Sequence, residues 1–217
     1  TPTLCIEMAA SHTYFDIYRN YQAPHQYQGV SGTKAIVFAP GEESNVDWAY
    51  VERIASLNPQ ITFFLLGVFN HSESFPANIV ILPEECLNNA NALIAHSDLL
   101  LSPFSKSIAG KTGLPQGIYA GAFLNKPIIS SQELNASQLN NFLYLPEAEV
   151  LGDISGRFPA ILKNDLFVSQ NSWLARLEAL VPAVARHDVS VVILIHNNAS
   201  IIARCLETLQ QHCGAYI

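Results

Sequence analysis

The chain has 217 residues, 49% of them hydrophobic, and a formal net charge of −7 at pH 7, enough for one large domain, or one domain with appendages, around a sizeable core. No run of Lys or Arg forms a basic stripe, which argues against nucleic acid and anionic lipid as partners. Cys5, Cys86, Cys205 and Cys213 are scattered without C-x-x-C spacing, so neither a zinc site nor a dense disulfide framework is expected, and reduced thiols in a cytosol fit best.

The chain opens on TPTLCIEMAASHTY, with no cationic start and no long apolar run, which is not the pattern of a signal peptide. Both ends read as cuts from a longer protein. Residues 1–33 are expected to be the end of a preceding region, with Tyr14, Phe15, Tyr18 and Tyr21 forming the face of a packed helix. From Lys34 onward short apolar runs alternate with amphipathic stretches, which predicts βαβ units and a mostly parallel sheet. The strands are expected at 35–39, 61–66, 79–82, 99–102 and 127–130, each nearly continuous in apolar character, as strands covered on both faces are.

A first helix is expected to begin at the S-x-x-D sequence of Ser44 and Asp47, to bury Trp48, Val51, Ile54, Ala55 and Leu57, and to stop before Pro59. A second begins after Pro83, with Glu84 and Glu85 in its first turn and Leu87, Ala90, Leu93 and Ile94 turned inward. A third, Gln116 to Leu124, is short and rich in small residues, so it can pack close to a sheet or a ligand. The fold class is therefore α/β, a Rossmann-like doubly wound parallel sheet over 34–150. Residues 151–188 are expected to be a helical cover or linker carrying Ile161, Leu162, Phe167, Trp173, Leu174, Leu177 and Leu180. Residues 189–217 open with a strand, Val189 to Ile195, followed by a helix from Ser200 to Gln211, and are expected to pack on something other than the main sheet. The apolar runs Ile61 to Val68 and Val189 to Ile195 stop far short of the roughly 20 residues of a membrane helix.

The blocks NVDWAYVERIASLNPQITFFLLG, NIVILPEECLNNANALIAHSDLLLSPF and GLPQGIYAGAFLNKPIIS, within residues 34–131, resemble the C-terminal, nucleotide-sugar-binding domain of GT-B glycosyltransferases. In that family a Gly-rich loop and a helix N-terminus cradle the nucleotide diphosphate. Gly113, Leu114, Pro115, Lys126 and Pro127 fit that block. The resemblance, with the rule that ligands bind outside the carboxyl ends of strands, marks Gly67, Ser102, Lys106, Lys111, Gly113, Pro115, Gln116, Gly117 and Ser130 as candidate binding residues. Lys106 and Lys111 can pair with phosphate as point charges or be simply solvated. Strand-end serines can serve the ligand or only local backbone groups, and His96 reads as a satisfied helix-end histidine.

The chain departs from the family at informative places. Thr112 and Ala120 stand where retaining members carry two carboxylates, Gly117 where a related subfamily has a basic residue, and Asn125 where the family has Gly. Gly41, Glu42 and Glu43 replace the Arg and Lys expected after the first strand. A second block, VSVVILIHNNASIIARCLETLQ, resembles the opening strand and helix of family-two GT-A glycosyltransferases, with Leu194, Ile195, His196 and Asn197 in the turn that lines the nucleotide pocket. That resemblance implies a divalent metal only for the GT-A part that would follow. No cofactor or metal is expected in this stretch.

Two functions follow as expectations. One is a cytoplasmic glycosyltransferase that moves a sugar from a nucleotide-sugar donor to a glycan or polysaccharide acceptor, with this stretch inactive alone. The other is a non-catalytic nucleotide-binding or scaffold domain attached to a GT-A glycosyltransferase.

Overall fold

The five expected apolar runs all become strands. The computed structural model describes residues 15–16, 19–39, 46–67, 75–105, 114–134, 138–158 and 164–184. In it the strands are β1 (Thr33–Ala39), β2 (Ile61–Gly67), β3 (Ile79–Ile81), β4 (Leu99–Ser102) and β5 (Ile128–Ser130), joined by a sixth, β6 (Phe142–Tyr144). They form one six-stranded sheet of order β3-β2-β1-β4-β5-β6, and every neighbouring pair is parallel. This is a doubly wound, Rossmann-like sheet, in which the chain starts at the middle and reverses its direction of winding between β1 and β4.

The apolar runs are continuous because both faces of the sheet are covered. Along β2, Phe63 and Leu65 enter one core and Phe64 and Leu66 the other, all four essentially buried. Each such fully buried side chain contributes about 1.5–3 kcal/mol. One core is roofed by α1 (Trp48–Leu57) through Tyr50, Val51, Ile54 and Ala55. The other is roofed by α2 (Ala90–Ala95) and α3 (Gln116–Phe123), with Tyr27 tilted against Phe64 at 4.6 Å between ring centroids.

Several local expectations change in detail. The cap of α1 is Asp47 itself, whose carboxylate accepts from the Tyr50 backbone amide at 3.0 Å. An Asp three residues before a free helical N–H makes its own N-cap, so it is not the third position of a box begun by Ser44, which lies outside the described residues. Leu57 is 38% exposed and does not extend the buried face. After Pro83 the chain makes a 3₁₀ turn, Glu84–Asn89, before α2 begins at Ala90.

β6 carries only three residues, half-buried or exposed at the sheet edge, too short a run to read as a strand between Asn-Asn and Pro-Glu. Of the aromatic stripe near the N-terminus, Phe15 and Tyr21 do pack on the core, but described residues 19–24 are not helical, and Tyr14 and Tyr18 lie outside the described residues.

Beyond β6 come α4 (Ile154–Arg157), α5 (Asp165–Gln170) and α6 (Trp173–Val184). The expected apolar cover is made by α5, where Phe167 is buried beside Tyr119 at 5.8 Å. Trp173, Leu174 and Leu177 of α6 are instead 50%, 63% and 45% exposed. The chain divides into units Thr1–Ala179 and Leu180–Ile217. The sheet belongs to the first; of the second only 180–184 are described, so the expected strand at 189–195 and helix at 200–211 lie outside the described residues, as do Ile161 and Leu162.

Candidate functional site

In a doubly wound sheet the loops leaving the two strands at the switch point part in opposite directions and open a crevice at their carboxyl ends. Here those strands are β1 and β4. The crevice is flanked by α3, and two glycines a helical turn apart set how closely that helix approaches. A Cβ on Gly117 would lie 2.9 Å from the Phe38 carbonyl oxygen, and one on Gly121 would lie 2.9 Å from Ile128 Cγ1. The first turn of α3 therefore sits directly on the end of β1. A side chain at position 117 would press on that carbonyl, so the close approach depends on glycine.

The first four N–H groups of an α-helix lack intrahelical acceptors and carry the positive end of the helix dipole. Pro115 occupies the cap position of α3 with no side-chain hydrogen bond, and no acidic residue occupies the first turn. Nothing negative in that turn competes with an anion.

The two serines at the strand ends are directly paired across β4 and β5, Ser102 with Ser130. They alternate with Leu100 and Ile128 on the same face as α3. Both are buried, yet their fates differ. Ser130 Oγ donates to the Gln132 carbonyl at 2.9 Å and accepts from the Gln132 amide at 3.2 Å, so it stabilises its own turn. Ser131 Oγ likewise donates to the Phe104 carbonyl at 3.2 Å. Ser102 Oγ, with the residue only 1% exposed, finds no hydrogen-bond partner among the described residues. An unpaired buried hydroxyl costs about 1–3 kcal/mol, so its retention is the local rule this site breaks.

The remaining candidates separate. Pro115, Gln116 and Gly117 stand at the crevice with Ser102 and Ser130. Gly67 ends β2, paired with Ala39, one strand further out and in the alternation of Phe63 and Leu65, on the opposite face. Lys106, Lys111, Gly113 and Thr112 lie outside the described residues, as do Gly41, Glu42 and Glu43. Ala120 is fully buried within α3, in the core shared with Leu100 and Ile128. The loop after β4 is fastened to the start of α1 by the Asp47 amide, which donates to the Pro103 carbonyl at 2.7 Å, and by a bridge between Val46 and Phe104. That tie, invisible in the sequence, holds the loop after β4 against the start of α1.

Two residues of the matched blocks serve elsewhere. Lys126 donates to the carbonyls of Ala95 and Ser97, closing the end of α2; burial lowers its pKa, with Asp98 opposing. His96 Nε2 lies 2.8 Å from the Tyr21 carbonyl. Asn125 adopts φ of 53°, a left-handed conformation that Asn tolerates better than most side-chain-bearing residues. Among the described residues no group of three or more His, Cys, Asp or Glu is placed to hold a metal ion, and no helix is long and apolar enough to cross a membrane.

No model of a known protein family matches the sequence, and no curated protein matches it. Among solved structures the chain resembles Anabaena HepE in complex with UDP-glucose, with a TM-score of 0.58 at 12% identity over 82% of this chain and 56% of that one. It resembles the same protein with UDP and glucose equally, over 82% and 55%. The likeness to the glycosyltransferase SnogD from Streptomyces nogalater is looser, with a TM-score of 0.42, 15% identity, 76% of this chain and 46% of that one. The chain spans just over half the length of the HepE chain, and at this identity the likeness establishes the fold.

Proposed function

We propose that this chain is the nucleotide-sugar-binding part of a glycosyltransferase and holds the donor's diphosphate in the crevice between β1 and β4. The observation that carries the reading is the buried Ser102 hydroxyl without a partner among the described residues, on the α3 face of the sheet. A phosphate oxygen there would satisfy that hydroxyl and take up the free N–H groups of Gln116 and Gly117, in a site of low dielectric where charge-assisted hydrogen bonds are strongest. Lys106, Lys111 and Gly113 fall between β4 and α3 in the sequence and are proposed as further phosphate-binding residues. Support at the level of fold comes from HepE, which has been solved with UDP-glucose.

In this reading the whole protein is cytoplasmic and transfers the sugar to a glycan or polysaccharide acceptor. The present stretch binds the donor and does not transfer sugar alone. The reading of a non-catalytic binding or scaffold domain is favoured by one further observation: Ala120, where the family carries a carboxylate, is fully buried and offers a ribose nothing to bond.

Calorimetry with uridine, guanosine and cytidine diphosphates tests the site, with Gln116→Glu as the variant. A carboxylate in the first turn of a helix favours the helix by about 0.3–1 kcal/mol, so the variant folds, while its charge repels a diphosphate. Heat from the native chain at millimolar ligand, at least tenfold weaker in Gln116→Glu, is the expected result. No heat from the native chain ends the nucleotide-site reading.

A further inference from the structure

A second cavity lies at the opposite, amino-terminal edge of the sheet. It has a volume of about 280 Å³ and is lined by Arg19, Asn20, Tyr21, Ala95, His96, Leu124 and Lys126. Ala95 and His96 end α2 before β4 begins, and Leu124 and Lys126 lie between α3 and β5. It therefore shares no residue with the crevice at the carboxyl ends.

Its lining is cationic in a chain whose net charge is −7. Arg19 and Lys126 both face it, and no Asp or Glu stands among its described lining residues. The Lys126 ammonium has three protons; two go to the carbonyls of Ala95 and Ser97, which leaves one for a ligand. The nearby Asp98 carboxylate accepts from the Lys34 amide at 2.7 Å and lies 3.5 Å from Lys34 Nζ, so it is engaged on another cation. Arg19 rests over the Tyr21 ring at 5.5 Å, which holds the guanidinium at the cavity mouth. The planar fork of Arg suits a bidentate oxyanion, and Lys adds a point charge.

We propose that this cavity binds a small oxyanion, inorganic phosphate or a phosphate monoester, between Arg19 and Lys126. The volume falls just below the range of about 300–1,000 Å³ usual for drug-sized ligands, which fits phosphate with at most a small organic group. Burial disfavours the Lys126 charge while Asp98 favours it, and a bound anion would favour the charged form further. Ligand binding here would steady the segment carrying Arg19 and Tyr21 against the ends of α2 and α3, far from the sugar donor.

The test is nuclear magnetic resonance titration of the full chain with inorganic phosphate and with ribose 5-phosphate, against chloride at matched ionic strength. Saturating shifts at the amides of Tyr21, His96 and Leu124 are expected with phosphate and not with chloride. Ribose 5-phosphate binding as tightly as phosphate or tighter identifies the monoester as the ligand, and binding of phosphate alone identifies the free ion. Arg19 is exposed, so Arg19→Gln leaves the fold intact and is expected to weaken binding at least tenfold. Gln116→Glu, which disables the crevice, is expected to leave these shifts unchanged. Equal shifts with chloride, an unaltered affinity in Arg19→Gln, or shifts confined to the residues around Gly117 would overturn the proposal.

Discussion

Replacing Ser102 by Ala should separate stability from binding in opposite directions. The side chain is buried at the end of β4, and its hydroxyl has no partner among the described residues. Removing an unsatisfied buried hydroxyl recovers a desolvation cost of about 1–3 kcal/mol. The space left is one oxygen atom, so little is lost in packing. With about 2–4 °C per kcal/mol for a domain of this size, the ligand-free variant should melt a few degrees above the native chain in a calorimetric or circular-dichroism scan. Adding uridine diphosphate should raise the native midpoint and leave the variant's nearly unmoved, because binding to the folded state alone stabilises by mass action. A ligand-free Ser102→Ala that melts below the native chain would show that the hydroxyl is already satisfied. The phosphate assignment would then lose its main support.

Gly117→Ala gains about 1 kcal/mol of helix propensity but sets a methyl 2.9 Å from the Phe38 carbonyl, an overpacking that costs about 1–3 kcal/mol; urea titration should show net destabilisation. Asn58 is fully buried, donates to the carbonyls of Ile54 and Glu149 and accepts from the Leu151 amide. Asn58→Ala should therefore cost roughly 3 kcal/mol, at about 1 kcal/mol for each bond, read as a lower denaturation midpoint. Tyr27 and Tyr50 donate their hydroxyls to the carbonyls of Leu93 and Leu145, and burial above all, with Asp98 for the first and Glu149 and Asp47 for the second, raises both pKa values. Their phenols ionise in the unfolded chain near pH 10 but not in the folded one, so the unfolded state binds fewer protons and stability falls as pH rises past that point. The slope is about 1.4 kcal/mol per pH unit for each tyrosine. Thermal scans across that range should show the fall, and it should halve in Tyr27→Phe.

What the sequence by itself determined was the alternation of strands and helices, because it is written in local periodicity. Runs such as ITFFLLG and LLLS are apolar on both sides, and a strand with no polar face has to be covered on both. The small residues of the third helix left open whether it packs close to the sheet or to a ligand; the contacts of Gly117 and Gly121 in the structure show the sheet. Other features needed the tertiary structure because each depends on a neighbour distant in the chain. β6 becomes a strand only because the edge of β5 offers Phe142–Tyr144 its hydrogen bonds. Ser102 and Ser130 are the same residue type at paired strand ends, yet Ser130 is occupied by the turn at Gln132 and Ser102 is not. Lys126 fits the phosphate-binding block by sequence but works at the other end of the sheet, because the carbonyls of Ala95 and Ser97 come within its reach there. A periodic pattern specifies which face is buried. Only the packed chain shows that the Ser102 hydroxyl is buried without a partner among the described residues, and that is where the proposed ligand is placed.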